Sequence, residues 1–241
     1  MVILAMRPMP LIRIPEPFDH RDCLYEIKHD GFRAVAHVEG HSCRLVSRRG
    51  HMFSKYGILE TEISHGVRAF DAVLDGEIVC LDRDGRTNFY NLLFRRDWPY
   101  FFAFDLLSVD GEDLRMLPLV ERKRRLRRIR PRIDSRLLYV DHVEARGVAL
   151  FREACRRDLE GIVAKWQRGP YHSDGIQTSW MKIKNPEYSQ MNGRRELFER
   201  RRDVASNARR RRWSAPVLSR RSNRPTNTRP RCRWTRRRDL Q

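Results

Sequence analysis

Pairs of an acidic residue and glycine divide the first half of the chain into short runs that are rich in β-branched and aromatic residues. Such pairs are common in tight turns, because both residues tolerate the backbone angles that turns require. One run, Tyr100–Val109, is almost wholly apolar and predicts a buried strand. A further pair, Asp75-Gly76, interrupts the strand predicted over residues 72–82. The turns are predicted at Asp30-Gly31, Glu39-Gly40, Asp84-Gly85 and Asp110-Gly111.

Helical patterns are fewer than strand patterns. We predict helices over residues 60–70, 119–130 and 145–158, and we interpret the basic face of the second as solvated, with some attraction for a polyanion. Two late strands are predicted, over residues 161–166 and 179–184. Strands and helices in this irregular order indicate an α+β domain, because a regular βαβ repeat is missing.

Positive charge is concentrated at the C-terminal end. The formal net charge is +19, and residues 194–241 hold 18 arginines against 4 acidic residues, which leaves +5 for the preceding residues. A basic balance favours a polyanionic partner, most often nucleic acid. The Arg-rich end has too few apolar residues to offset the entropy of ordering it. We therefore predict a folded domain at residues 1–190 and a disordered or non-native tail at residues 191–241.

Cysteine and histidine usage argues against several classes of protein. The five cysteines are scattered and odd in number, which argues against a disulfide framework or a zinc site and fits a reducing cytosol. The eight histidines show no metal-ligand spacing. The apolar N-terminal stretch is interrupted by Arg7, Pro8 and Pro10, so it is too short for a membrane span or a signal peptide. We expect a soluble intracellular (cytoplasmic) protein.

The most unusual motif is KHDGFR, which runs from Lys28 to Arg33 across the first predicted turn. A match of this kind arises by chance in roughly one chain in several hundred of this length, so the motif alone is only suggestive. Gly-rich phosphate loops and strand-linked GxGxxG motifs are missing from the chain. Four further segments follow the motif in order: DGE at 75–77, FDLL at 104–107, EGIVAK at 160–165 and WMKIK at 180–184.

This ordered series resembles the nucleotidyltransferase motifs of ATP-dependent DNA ligases. The segment SRRG at 47–50 is similar to an additional basic motif of that family, and FDLLSVDGEDLRMLPLVERKRRL is especially similar to bacterial ligases of the end-joining type. The likeness covers roughly residues 18–199. It implies an α+β nucleotidyltransferase domain (ATP-grasp-like), in which antiparallel sheets and packed helices form a cleft for ATP. It also implies Mg²⁺ (or Mn²⁺) as the metal and DNA with nicks or breaks as the partner. No membrane is expected as a partner.

Lys28 is the predicted nucleophile. A free lysine has a pKa of about 10.4, so only about one in 2,500 is neutral at pH 7. Lys182 and Lys184 alternate along a strand and therefore share one face. We expect these two cations to disfavour the protonated form of Lys28 and to hold the α-phosphate. Lys28 would attack the α-phosphorus and release pyrophosphate, a step that depends mainly on positioning and charge stabilisation.

The resemblance implies roles for the other motif residues. Carboxylates suit the metal and the ribose, an aromatic ring suits adenine, and cations suit phosphates. His29 and Phe32, within the first motif, are interpreted as packing residues. The implied roles are Glu160 for the metal, Glu77 for the ribose and as a second metal ligand, Phe104 for adenine stacking, Glu26 for the adenine amino group, Arg33 and Arg48 for nucleotide and DNA phosphates, and Lys165 near the base and phosphate.

Each motif also has a purely structural interpretation. Acidic-glycine pairs are ordinary turns, Phe104 could fill the core, and the lysines that flank Ile183 could be the solvated face of an edge strand. The order of the series favours nucleotidyl transfer over these interpretations. The alternative enzymes are an RNA ligase and a capping-type guanylyltransferase. The alternative from another class is a non-catalytic nucleic-acid-binding relic.

The resemblance does not extend to a C-terminal barrel. Ligases of this kind continue into a small domain of the oligonucleotide-binding (OB) type, whose final basic motif orients the pyrophosphate during lysine adenylation. The residues after Glu199 are Arg-rich and lack β-periodicity, so we expect the OB-fold domain to be absent. Three interpretations of the tail remain: a polyanion anchor, a substitute for part of that domain, or a non-native end. We slightly favour the non-native end. End-joining repair proteins or a separate OB-fold domain are the implied protein partners.

Overall fold

Two mostly antiparallel sheets face each other in the computed structural model, which describes residues 6–132, 134–192 and 194. The described residues belong to one compact unit that ends at Arg194. In chain order the strands are β1 (Ile12–Arg13), β2 (Cys23–Ile27), β3 (Phe32–Glu39), β4 (Ser42–Ser47), β5 (Asp71–Val79), β6 (Tyr100–Val109), β7 (Glu112–Asp113), β8 (Leu137–Tyr139), β9 (Val143–Glu144), β10 (Gly161–Trp166) and β11 (Trp180–Lys184). The α-helices are α1 (Gly57–Gly66), α2 (Phe89–Phe94), α3 (Leu119–Ile129) and α4 (Gly147–Arg156), and a 3₁₀ turn spans Ser189–Met191.

The smaller sheet has the strand order β1-β11-β10-β2-β9, and the larger sheet has the order β4-β3-β5-β6-β7, with β8 added in parallel to β6. Helix α4 packs on the outer face of the smaller sheet, around Tyr25, Ala154 and Ile183. Helices α1 and α3 pack on the outer face of the larger sheet. The inner faces meet in an apolar cluster that includes Val35 and Trp180. This arrangement confirms the α+β prediction.

The acidic-glycine pairs have three different structural outcomes. Glu39-Gly40 and Asp110-Gly111 close antiparallel pairs, β3 with β4 and β6 with β7. Asp30-Gly31 instead carries the chain from the smaller sheet to the larger one, because β2 pairs with β10 whereas β3 pairs with β4 and β5. Strand β5 continues through Asp75-Gly76, but its pairing with β6 shifts register between these two residues. A Cβ at Gly76 would lie 2.4 Å from the ring of Phe101, so this glycine permits close approach within a continuous strand.

The predicted helices form, with shifted ends. The helix predicted over 60–70 is α1, which begins at Gly57 and ends at Gly66, where the chain becomes extended at Val67. Helix α3 and the two late strands lie close to their predicted positions. Helix α2 was not predicted. It is short and begins after Asn88, whose side chain accepts a hydrogen bond from the N–H of Asn91.

The exposed basic face of α3 is largely neutralised by neighbouring carboxylates, which reduces the positive charge that the helix presents to a polyanion. Surface ion pairs of this kind contribute little stability. The ion pairs on α3 are Arg124–Glu121, Arg125–Glu112 and Arg127–Asp141.

A disordered or non-native tail was predicted for residues 191–241. The structure describes residues 191, 192 and 194 of this range, and the others lie outside the described residues. None of the described helices is both long and apolar enough to traverse a bilayer.

Candidate active site

Three neighbouring strands of the smaller sheet bring the predicted polar residues into register. In the antiparallel pairing, Val163 of β10 lies opposite Glu26 of β2 on one side and Lys182 of β11 on the other. Because side chains alternate across a sheet, these residues face the larger sheet, whereas the intervening isoleucines face α4. Lys165 lies opposite Trp180 on the same face. These residues thus form one continuous patch on the smaller sheet.

Lys28 follows the end of β2, and its backbone N–H donates to the carbonyl of Gly161 at 2.9 Å. Gly161 has a φ of +138°, and a Cβ there would lie 2.1 Å from the carbonyl oxygen of Ile183. Only glycine therefore lets β10 begin directly after Glu160 while remaining paired with β11. This local geometry places the Glu160 carboxylate beside the Lys28 amine.

Glu160 lies between two lysines, and we call Glu160, Lys28 and Lys184 the phosphate-side cluster. Lys28 Nζ donates to Glu160 Oε2 at 2.6 Å, and Lys184 Nζ lies 3.0 Å from Glu160 Oε1. Burial alone would raise the pKa of Glu160, but Lys28 and Lys184 outweigh that effect and hold it below its ordinary value. Burial and the charges of Lys28 and Lys184 lower the pKa of Lys182. The immediate partner of Lys28 is thus a carboxylate, with the predicted cations around it.

Glu77 lies on β5, in the sheet opposite the lysines. Burial raises the pKa of its carboxyl to about 8, despite the opposing effect of Lys28 and Arg33. Glu160 and Asp30 raise it further, so the Glu77 and Glu160 carboxylates are close enough to interact. Within the described residues, the carboxylate of Glu77 has no hydrogen bond or ion pair. A carboxyl without a protein partner in a polar cleft can accept a hydrogen bond from a ligand or contact a cation.

The described residues contain no group of three or more His, Cys, Asp or Glu side chains that could hold a metal on their own. Mg²⁺ is usually bound through one or two carboxylates together with substrate phosphates and water. The two carboxylates of Glu160 and Glu77 fit that mode, and they do not fit a closed structural metal site.

At the other end of the patch, Glu26 also lies between two lysines. We call Glu26, Lys123 and Lys165 the base-side cluster. Lys123 Nζ donates to Glu26 Oε1 at 2.5 Å, and Lys165 Nζ lies 2.6 Å from Glu26 Oε2. The Lys165 ammonium also lies 4.3 Å from the ring centroid of Phe104 and 4.1 Å from that of Trp180. Burial lowers the pKa of Lys165 to about 8, although Glu26 opposes that shift.

Arg33 is fixed by a buried carboxylate rather than exposed to solvent. Its Nε and Nη2 donate to the two oxygens of Asp75 at 3.0 and 2.6 Å, and the Tyr171 hydroxyl donates to Asp75 at 2.7 Å. The guanidinium lies 5.4 Å from the ring of Phe104 and 5.3 Å from that of Trp180. Arg33 therefore borders the same aromatic surface as Lys165.

The turn after the nucleophile is anchored from the C-terminal side. Asp30 is buried, accepts a hydrogen bond from the Tyr188 hydroxyl at 3.0 Å, and forms a bidentate ion pair with Arg194. His29 packs edge-on against Phe102, and Phe32 contacts neighbouring rings, as expected for packing residues. These contacts fix the loop that carries Lys28.

The structure brings nine of the ten predicted site residues to the patch or to the facing strands β3, β5 and β6. The tenth, Arg48, is exposed just after β4, and its charge contributes to the lowered pKa of Lys182. Sequence reasoning missed residues whose partners are remote in the chain. Lys123 contacts Glu26 across 97 residues, and Arg194 contacts Asp30 across 164. No local pattern signals such pairs. The other residues missed were Asp75 as the anchor of Arg33, Tyr171, Trp180 and Tyr188.

A lysine amine thus lies at one end of the patch, and aromatic rings with buried charged groups lie at the other. The family model for the ATP dependent DNA ligase domain matches residues 4–184. The chain belongs to this family of ATP-dependent DNA ligase domains.

Individual relatives agree with this family. The SPbeta prophage-derived DNA ligase-like protein LigB of Bacillus subtilis is 28% identical over 197 residues, which cover 78% of this chain and 70% of that protein. The multifunctional non-homologous end joining protein LigD of Pseudomonas aeruginosa is 33% identical over 167 residues, which cover 66% of this chain and 20% of that protein. Among solved structures, a mycobacterial DNA ligase D complexed with ATP and MES is 25% identical with a TM-score of 0.66, and the match covers 76% of this chain and 62% of that one. The chain thus spans only part of the length of these relatives.

Proposed function

We propose that this chain is the adenylation domain of an ATP-dependent DNA ligase and that Lys28 captures AMP covalently. The observation that carries this proposal is the phosphate-side cluster, in which the Lys28 amine contacts Glu160 at 2.6 Å beside Lys184 and Lys182. The names of the similar ligases, and the family to which the chain belongs, support the choice of ATP and of DNA.

The first step joins the Lys28 nitrogen to the α-phosphorus of ATP. The N–P bond forms as the bond from phosphorus to the bridging oxygen breaks, pyrophosphate leaves, and the amine loses a proton. The Lys28 nitrogen is engaged with the Glu160 carboxylate at 2.6 Å, so this contact must break before the nitrogen can attack phosphorus. The incoming phosphates offer new anionic partners to Lys182 and Lys184. The proton from Lys28 can pass to water, because this side chain is 17% exposed.

Glu160 and Glu77 are the residues that would hold Mg²⁺ (or Mn²⁺). A bound divalent ion would offset negative charge on the phosphates and the leaving pyrophosphate. Glu77 can alternatively accept hydrogen bonds from the ribose hydroxyls, since it has no partner among the described residues. Contact with the metal requires an ionised carboxylate, whereas burial favours the protonated form of Glu77.

The base-side cluster would receive the adenine. Glu26 accepts hydrogen bonds, so it matches the amino group of adenine and opposes the carbonyl of guanine. Stacking of adenine on Phe104 requires the Lys165 ammonium, which lies over that ring at 4.3 Å, to move aside. Lys165 Nζ lacks a well-oriented hydrogen bond despite its burial, so an acceptor on the nucleotide would satisfy it.

The later steps involve DNA. AMP would be transferred from Lys28 to a 5′-phosphate, and a 3′-hydroxyl would attack that phosphate, release AMP and seal the nick. Arg48 is exposed beside the phosphate-side cluster and would contact DNA phosphates, whereas Arg33 borders the nucleotide. The similarity to LigD proteins named for non-homologous end joining suggests broken DNA as the substrate and end-joining proteins, or a separate OB-fold domain, as partners.

Label transfer from ATP tests this function. The full chain is incubated with Mg²⁺ and ATP labelled at the α-phosphate or at the γ-phosphate, and protein-bound label is measured after denaturation. Only the α-label should remain bound. Lys28→Ala should reduce the transfer by more than about 10³-fold, because the attacking amine is removed. Lys55→Ala, which removes an exposed lysine outside the site, should label like the parent.

Other outcomes would contradict the proposal in different ways. Undiminished labelling of Lys28→Ala would exclude Lys28 as the nucleophile. Labelling from GTP in place of ATP would indicate a capping-type enzyme, and joining of nicked RNA in preference to nicked DNA would indicate an RNA ligase. Failure of the parent to label at any ATP concentration would favour a non-catalytic nucleic-acid-binding domain.

A further inference from the structure

Lys123 is a basic residue on the buried face of a helix. The buried positions of α3 are Leu119, Arg122, Lys123 and Leu126, which follow the spacing of an apolar stripe although two of them are cationic. Arg122 is fixed by a fully buried bidentate ion pair with Asp105, at 2.8 Å for both contacts. This pair anchors α3 on β6 and thereby sets the position of the neighbouring Lys123.

The Lys123 ammonium is held by four groups. In addition to Glu26, it donates to the carbonyl oxygens of Val140 at 3.0 Å and Phe104 at 3.4 Å, and it lies 4.7 Å from the ring of Tyr139. Its side chain is 1% exposed. No catalytic step proposed above uses this charge, although a buried cation is costly unless it has a partner.

Lys123 and Lys165 divide the Glu26 carboxylate between them. Each oxygen contacts one lysine, Oε1 to Lys123 and Oε2 to Lys165. A carboxylate held at both oxygens cannot rotate freely, and its remaining lone pairs keep a fixed direction. Without Lys123, the carboxylate would be free to turn towards Lys165, which contacts the rings of Phe104 and Trp180.

We propose that Lys123 is a positioning residue that orients Glu26 and so sets the preference for adenine over guanine at this site. The inference rests on the proposed function, because it assigns Glu26 to the purine. A fixed carboxylate accepts from an amino group and repels a carbonyl oxygen in the same place, and unpaired buried polar groups give strong discrimination. Lys123 acts only through Glu26, and it does not contact the reacting atoms.

Steady-state adenylation with ATP and with GTP tests this role. The variants are Lys123→Met, which removes the charge, and Lys123→Gln, which removes the charge but can still donate to the carbonyls of Val140 and Phe104. Both should raise the KM for ATP about tenfold or more and lower the ratio of ATP to GTP use by a similar factor. kcat at saturating ATP should change by less than about threefold, because the phosphate-side cluster is intact.

Arg124→Met is the matched control, since Arg124 is the next residue of α3, is exposed and pairs with Glu121 at the surface. It should leave both KM and the nucleotide ratio unchanged. Thermal unfolding of each variant is measured alongside. An unchanged KM and nucleotide ratio in both neutral variants would overturn the proposal, as would a fall in kcat alone. If both Lys123 variants fail to fold, Lys123 has only a structural role, and that result would also overturn the proposal.

The two levels of inference fail separately. If the parent protein does not label, or if Lys28→Ala labels normally, the proposed function fails. If the parent labels through Lys28 while the Lys123 variants retain the preference for ATP, only the positioning role fails.

Discussion

The two ends of the cleft use the same ionic arrangement at different depths. Glu26 lies between Lys123 and Lys165, whose side chains are 1% and 2% exposed. Glu160 lies between Lys28 and Lys184, whose side chains are 17% and 28% exposed. Each cluster therefore pairs one carboxylate with two ammonium groups, but only the phosphate-side lysines have contact with solvent.

This difference in exposure separates a fixed scaffold from a replaceable ion pair. Ammonium groups that reach water can exchange a carboxylate for phosphate oxygens at a modest cost. Buried ammonium groups have no such alternative, and removing their counter-ion leaves an uncompensated charge in a medium of low polarity. We infer that the phosphate-side cluster rearranges during each reaction, whereas the Glu26–Lys123 pair of the base-side cluster remains intact. Substitutions at the two glutamates should therefore have opposite balances of stability and activity.

The largest effect on stability is expected from Glu26→Gln. The substitution retains the shape of the side chain but leaves Lys123 and Lys165 without a counter-ion. Breaking a buried ion pair typically costs about 3–5 kcal/mol, so the free energy of unfolding should fall by an amount in that range. Urea denaturation monitored by tryptophan fluorescence measures the change, and the slope of the transition should remain that of the parent.

Glu153→Gln provides a matched control for the base-side cluster. Glu153 lies between Arg156 and Arg157 on the exposed surface of α4, so it has the same arrangement of one carboxylate and two cations in contact with water. Its urea midpoint should be close to that of the parent. If Glu26→Gln were as stable as Glu153→Gln, burial would not distinguish the clusters and the comparison would be wrong.

Glu160→Gln should show the reverse balance. Lys28 and Lys184 can hydrate when the carboxylate is lost, so the urea midpoint should move much less than it does in Glu26→Gln. Transfer of AMP to the protein should fall by about 10²-fold or more, because the group that positions Lys28 and would hold the metal is missing. Initial rates of labelling at saturating ATP measure this loss. Normal labelling combined with a large loss of stability would reverse the roles that we assign to the two clusters.

Most of the fold was predictable because its strands are defined locally. Tyr100–Val109 forms the predicted strand with both ends correct, since the apolar run and the following Asp110-Gly111 turn coincide. The pairing of strands was less predictable. Asp30-Gly31 has the residues of a hairpin turn, yet β2 and β3 belong to different sheets, because β2 pairs with β10 more than a hundred residues later. Turn residues specify a change of direction, and they do not specify which strand becomes the neighbour.

The candidate site shows the same division. The alternation of Lys182 and Lys184 around Ile183 predicted a shared face, and the structure places both lysines there with Ile183 buried behind them. The burial of Lys123 could not be predicted in this way, because α3 has the pattern of a basic amphipathic helix whose cations face solvent. Charged residues on the buried face of α3 are recognised only when their partners, Asp105 and Glu26, are known. Prediction from the sequence succeeded for residues within one motif and failed for pairs between elements.

The smallest predicted effect is a pH dependence of the KM for ATP, which depends on Glu77 at the phosphate side of the cleft. The pKa of Glu77 is raised to about 8 by burial, so its carboxyl carries a proton at neutral pH in the ligand-free protein. Binding of a cation requires the ionised form and releases that proton. The KM for ATP should therefore fall as the pH rises towards about 8 and level off above it, by about tenfold overall. Glu77→Gln should remove this component, and the comparison is needed because the pKa of Lys165 is also about 8.

The same shift has an opposite sign for stability. A carboxyl whose pKa is higher in the folded state than in the unfolded state binds its proton more tightly when folded. Its contribution is fully present below about pH 4.5 and is lost as the pH rises through about 8. Glu77→Gln should therefore melt a few degrees above the parent at about pH 9, with a smaller or reversed difference at about pH 6. A parent and a variant with parallel melting profiles across this range would show that Glu77 is ionised throughout, and that the phosphate side of the cleft is open to water on both sheets.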